Sequence, residues 1–156
     1  MDRRAETVWI NSLVDDFPGL RPEYDSHVEY FGELLPHVFF GDVVRWIEAL
    51  YEAHDRDTIK AFLARLERDY PRLDAQSCNV IDVSFAEDLP YPGTRGAEMA
   101  LWLGPNLRRE YVRGHHLRNW NPELDTAFPR ARRRTWREPA AFLVRAWQCT
   151  RFGRRG

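Results

Sequence analysis

Five histidines, two cysteines and a high density of carboxylates are the side chains of this 156-residue chain whose types admit catalysis or metal binding. His37 stands foremost among them, with Glu33 four residues before it and Asp42 five after. A carboxylate that orients an imidazole makes a general base, so His37 with Glu33 or Asp42 is the arrangement a hydrolase would use. Glu33 and His37 share a helix face only if the helix runs through Pro36, and proline interrupts a helix interior. The reading adopted for His37 is therefore a helix-start histidine bonded to a neighbouring backbone or carboxylate group.

The other reactive types form no set. Zinc needs three or four ligands in a defined geometry. His27, His37 and His54 fall on different turns, and the adjacent pair His115-His116 diverges on any helix. Cys78 and Cys149 belong to no CxxC pair, and Cys78 reads as a small buried hydrophobe. Ser84 lacks the G-x-S-x-G setting of a nucleophile elbow. No phosphate loop, dinucleotide fingerprint or calcium loop occurs. These residues lead us to expect no metal, no cofactor and no catalytic set.

Charge carries more information than motif. Residues 1–107 hold 10 Lys and Arg against 20 Asp and Glu, a balance of −10, while residues 108–156 hold 13 Arg against 4 acids, a balance of +9. An acidic surface speeds encounter with a basic partner. Arginines interleaved with Trp120, Phe128, Trp136 and Trp147 have the composition of a nucleic-acid contact, in which guanidinium pairs phosphate and rings stack on bases. The block Arg132-Arg133-Arg134 with Trp136 is where that contact would centre. The start of the chain has no apolar leader, and no stretch nears the 18 or so apolar residues of a membrane span. A cytoplasmic protein with no membrane role is expected.

The elements that must position these residues are helical. Ile10, Leu13, Val14 and Phe17 make one face of a helix from about 5 to 17, stopped by Pro18-Gly19. A second helix is expected over 26–34, capped by Asp25 or Ser26, with Glu29 completing a capping box and Val28, Phe31 and Leu35 facing inward. Pro36 opens a third helix to about residue 54, with Phe40, Val43, Val44, Ile47, Leu50 and Tyr51 inside. Asp57 or Thr58 caps a fourth, with Ile59, Phe62, Leu63 and Leu66 inside, ended by Tyr70-Pro71. Asp74 caps a fifth to about residue 88, where Val80-Ile81-Asp82-Val83 also suits a short strand. Short helices over 97–103 and 105–113 follow. Residues 139–148 suit one further short helix within a basic, partly disordered tail over 114–156. The sum is an all-α fold, a bundle or stacked helical hairpins over 1–113 followed by an irregular arginine-rich tail.

Three stretches, Tyr30-Phe31-Gly32-Glu33-Leu34-Leu35-Pro36-His37-Val38-Phe39, Val80-Ile81-Asp82-Val83-Ser84-Phe85-Ala86-Glu87 and Leu103-Gly104-Pro105-Asn106-Leu107-Arg108, together resemble a set of small bacterial helical proteins of unknown function. Some of that set resemble immunity proteins associated with polymorphic toxins. The resemblance spans about residues 25–113. It implies a non-enzymatic module that binds a protein partner, an immunity-type inhibitor of a basic toxin. Tyr30, Glu33, His37, Asp82 and Glu87 are then the partner-binding residues. The alternatives are a nucleic-acid-associated protein acting through the arginine tail, and a hydrolase using His37.

Overall fold

The computed structural model describes residues 3–116 of the chain. Six α-helices and four tighter or wider helical turns follow one another, with no strand among the described residues. The helices are α1 (Arg3–Asp16), α2 (Arg21–Phe31), α3 (Pro36–Glu52), α4 (Arg56–Asp69), α5 (Ala75–Ile81) and α6 (Pro105–Gly114). Three-residue 3₁₀ turns at Pro18–Leu20 and Tyr70–Arg72 join α1 to α2 and follow α4. The all-α expectation holds. The expected tail, its short helix over 139–148, and Arg132, Arg133, Arg134 and Trp136 lie outside the described residues.

Helix α3 is the central strut. Phe39, Phe40, Val43, Val44, Trp46 and Ile47 are all buried along it, so its apolar stripe is wide enough to meet neighbours on several sides. Around it a continuous ring network forms. Trp9 stacks on Phe40 at 5.7 Å, Trp46 meets Phe62 edge-on at 5.3 Å, and Phe85 sits 6.2 Å from Phe40 and 6.0 Å from Phe62. Edge-to-face pairs of this kind add about 0.5–1.5 kcal/mol each beyond the area they bury.

Several element ends differ from the sequence reading, each for a local reason. Helix α2 begins at Arg21, not at residue 26, with Pro22 in its first turn and no side-chain cap. Proline needs no partner for an N–H there, so the expected capping box is unused. The inward residue of α2 is His27, while Phe31 is 42% exposed. Asp55, not Asp57 or Thr58, caps α4 by accepting the Thr58 N–H at 3.1 Å. Asp74 does cap α5, accepting from the Gln76 and Ser77 N–H groups. Residues 97–102 are 3₁₀ rather than α.

The fifth helix is the most altered. After Ile81 it widens into a π turn over Asp82–Ala86, closed by the Glu87 N–H on the Asp82 carbonyl at 3.3 Å. The strand reading of residues 80–83 is thereby excluded. A π turn adds a residue without ending the helix, and such turns recur at functional positions. Here it keeps Ile81, Phe85 and Leu89 in the core while turning Ser84 toward α3 and Asp82 toward Tyr70.

Helix α6 is held by α4. The Glu67 carboxylate accepts the Asn106 N–H at 3.0 Å, the Leu107 N–H at 3.0 Å and the Asn106 side-chain amide at 2.8 Å. A carboxylate from another helix thus fills the anion site that every helix N-terminus presents. Gly104 lies against that carboxylate, and a Cβ there would come within 2.7 Å of Glu67 Oε2. The Gly104-Pro105-Asn106 stretch is therefore a docking joint between α4 and α6.

Candidate functional site

The first two family-like stretches meet at one point. His37, in the first turn of α3, shares a 2.7 Å hydrogen bond between Nδ1 and the Ser84 hydroxyl in the π turn. The elements near this junction in the chain expose four large apolar side chains. Tyr30 and Phe31 end α2, Val38 follows His37, and Val83 precedes Ser84, with 54%, 42%, 47% and 46% of their surfaces open. The Tyr30 and Phe31 rings meet edge-on at 4.6 Å. Exposed carboxylates flank them: Glu29 one turn before Glu33, Glu33 in the connection to α3, and Glu87 one turn beyond Val83.

The connection over residues 32–35 is set by two devices. Gly32 adopts φ +76°, the left-handed region that favours glycine, and its N–H closes α2 on the Val28 carbonyl. The loop is then pinned from inside by His27, which is 3% exposed. Its Nε2 accepts the Leu35 N–H at 3.1 Å, so that nitrogen carries no proton. The proton therefore sits on Nδ1 and is donated to Asp42 at 2.9 Å. Arg45, one turn on in α3, pairs with the same Asp42 carboxylate. Burial pushes the His27 imidazole below its ordinary value. Both ring nitrogens are committed to structure, which leaves His27 no free base.

Asp82 has a different setting from the other four chosen residues. Its side chain is 14% exposed, accepts the Tyr70 phenol at 2.8 Å and faces Arg113 at 3.4 Å. Burial raises its carboxyl above the ordinary range, against the lowering effect of the Tyr70 bond, and Glu110 beside it adds to the rise. Glu110, 4% exposed, pairs with Arg113 at 2.6 Å and with Arg109 at 2.9 Å. Burial and the Asp82 bond push the Tyr70 phenol far up. The group of Tyr70, Asp82, Glu110 and Arg113 ties the 3₁₀ turn after α4 to α5 and α6.

Tyr30, Glu33 and His37 are thus all exposed, and Glu87 is exposed against Gly114 at the end of α6. Asp82 lies mostly inside. The hydrolase arrangement does not assemble: Asp42 serves His27 and Arg45, and Glu33 makes no hydrogen bond to His37. Among the described residues no carboxylate orients the second nitrogen of His37, and no group of three or more His, Cys, Asp or Glu is placed to hold a metal. A shallow cleft of about 380 Å³, lined by Asp16, Phe17, Ala61, Ala64, Arg65 and Arg68, lies elsewhere, beside α1 and α4. No helix among the described residues is long and apolar enough to cross a membrane.

Sequence reasoning missed Phe31, Val38, Val83 and the His37–Ser84 bond. Phe31 shares the face of His27 but ends α2, where that face is only partly covered, and the pairing of residues 47 apart leaves no local trace. His115 is half-buried, with its ring 4.5 Å from Tyr111 and 5.4 Å from Tyr91. The model of a family described as a domain of unknown function (DUF7674) matches residues 10–121, and the chain belongs to that family. No curated protein matches the chain, and no solved structure does.

Proposed function

We propose that this member of the DUF7674 family is a non-enzymatic protein-binding module that captures a basic protein partner. The observation that supports it is the exposed apolar group Tyr30, Phe31, Val38 and Val83, flanked by Glu29, Glu33 and Glu87. Aromatic anchors inside a polar rim are the anatomy of binding hot spots. The rim is acidic, so the partner that fits it brings lysine or arginine around an apolar contact. In its finer form the proposal makes the partner a basic toxin, blocked by steric and electrostatic cover as an immunity protein does.

The test is capture from nuclease-treated native lysate on full-length protein, followed by the same capture with Tyr30→Ala/Phe31→Ala and with Glu33→Lys. A basic protein retained by the parent and lost by both variants supports the proposal. A partner retained equally by all three removes the surface from consideration. The +9 balance of residues 108–156 keeps a nucleic-acid reading as the alternative. Nucleic-acid retention that falls steeply with salt and is insensitive to Tyr30→Ala/Phe31→Ala would favour it. The His37–Ser84 bond is a contact from which a hydrolase reading can start, and an ester hydrolysis abolished by both His37→Ala and Ser84→Ala would be required.

A further inference from the structure

We propose that His27 is an acid-sensitive latch, whose protonation releases the residue 32–35 connection and with it the surface made by Tyr30, Phe31 and Glu33. The inference concerns regulation of the surface proposed above and rests on that reading for its functional meaning. The latch itself stands on geometry alone.

The imidazole is clamped between two elements with opposite hydrogen-bond demands. On one side Leu35 offers an N–H, which requires a bare Nε2. On the other side Asp42 offers a carboxylate, which takes the Nδ1 proton. This pairing is satisfied only by the neutral ring with its proton on Nδ1. A second proton must go to Nε2, where it would face the Leu35 N–H across 3.1 Å. Two donors cannot share that line, so the Leu35 bond breaks. The ring cannot simply swing to water, because Phe31 lies 4.8 Å and Phe39 5.5 Å from it and only 3% of the residue is exposed.

The charged groups around the ring decide which way it yields. From α3, Asp42 attracts the imidazolium, while Arg45 on the same carboxylate draws part of that attraction away. From α2, Phe31 contributes a ring and no charge. At the adjoining end of α1, Asp15 pairs with Arg21 and Asp16 with Arg65. The protonated ring therefore keeps its Asp42 partner and gives up Leu35. The element released is the connection, since α3 is fixed by its buried aromatic stripe. Phe31, which rests on the His27 ring, and Tyr30, which rests on Phe31, shift with it.

The test reads the Leu35 amide directly on the full chain by hydrogen exchange, corrected for intrinsic rates, between pH 7.5 and 5. The expected result is a protection factor at Leu35 that falls about tenfold per pH unit once His27 begins to bind its second proton. The Ile47 amide in the middle of α3 stays protected throughout. Nitrogen-15 shifts of the ring should show the Nδ1-protonated tautomer at pH 7.5. His27→Gln keeps an acceptor for Leu35 but cannot titrate, and its Leu35 protection should be flat with pH. Leu35 protection that is flat in the parent chain, or an Nε2-protonated tautomer at pH 7.5, overturns the latch. The surface reading is judged separately at pH 7.5, where Tyr30→Ala, which leaves Phe31 on the His27 ring, should weaken capture of the partner with Leu35 protection unchanged.

Discussion

Glycine at position 104 should be required only because Glu67 is there, and the sign of its replacement should reverse when Glu67 is removed. Gly104 has φ −70° and ψ 174°, extended backbone that alanine adopts freely. On backbone grounds alone Gly104→Ala would stabilise by about 0.4–1 kcal/mol, through a less flexible unfolded chain. In the folded protein the new Cβ would instead overlap the Glu67 side chain, whose carboxylate holds two backbone N–H groups and the Asn106 amide. Displacing that carboxylate forfeits charge-assisted bonds at a helix N-terminus, together about 2–3 kcal/mol. Gly104→Ala should therefore destabilise by about 1–2 kcal/mol net, and Glu67→Ala by about 2–3 kcal/mol. In the Glu67→Ala background, Gly104→Ala should stabilise by about 0.4–1 kcal/mol. The assay is a double-mutant cycle by urea unfolding at pH 7, with a coupling of about 2–3 kcal/mol expected. A coupling near zero, with Gly104→Ala equally costly in both backgrounds, would refute the carboxylate joint.

Three further expectations follow from the same contacts. Asp82→Asn keeps an acceptor for the Tyr70 phenol while removing a buried charge, so it should leave stability unchanged or raise it at pH 7. Because the Asp82 carboxyl is raised in the folded state, its ionisation opposes folding as pH climbs past the ordinary carboxylate value. The Asn advantage should therefore vanish at lower pH, as thermal melts at pH 7 and pH 3.5 would show. The Thr58 bonds hold the Asp55 carboxyl below its ordinary range, so its capping contribution is present above that range and lost as pH falls. Asp55→Ala should lower the melting temperature at pH 7 and much less at pH 2.5. His54 ends α3 at φ +61°, so His54→Gly should stabilise by about 0.5 kcal/mol, measurable as a small rise in urea midpoint.

Much of the fold was legible because the strongest signals are local. The stripe of α3 and the faces of α1 and α4 emerge from spacing alone, and Pro36 and Asp74 act where their chemistry says they should. Helix α2 was misread because its inner face carries a histidine. Burying His27 is tolerable only with both nitrogens bonded, and those partners, Leu35 and Asp42, lie 8 and 15 residues away. Phe31, four residues on and on the same face, is the last residue of α2, so it rests on the His27 ring while staying 42% exposed. The π turn was illegible for a related reason: its widening is stabilised by Ser84 on His37 and Asp82 on Tyr70, both tertiary contacts. The candidate site was half legible. Tyr30, Glu33 and His37 were chosen for their types, but the surface they share with Phe31, Val38 and Val83 exists only once α2, α3 and the π turn meet.

The most direct test of the binding surface is the dissociation constant of the basic partner, recovered from nuclease-treated lysate, for the parent chain and for Tyr30→Ala/Phe31→Ala. Two aromatic anchors at a hot spot imply a loss of at least about 2 kcal/mol, roughly thirtyfold in affinity, measured on a variant that circular dichroism shows to be folded. An affinity within about twofold of the parent in a folded variant would be far below the loss truncated anchors give, and would contradict the assignment of this face.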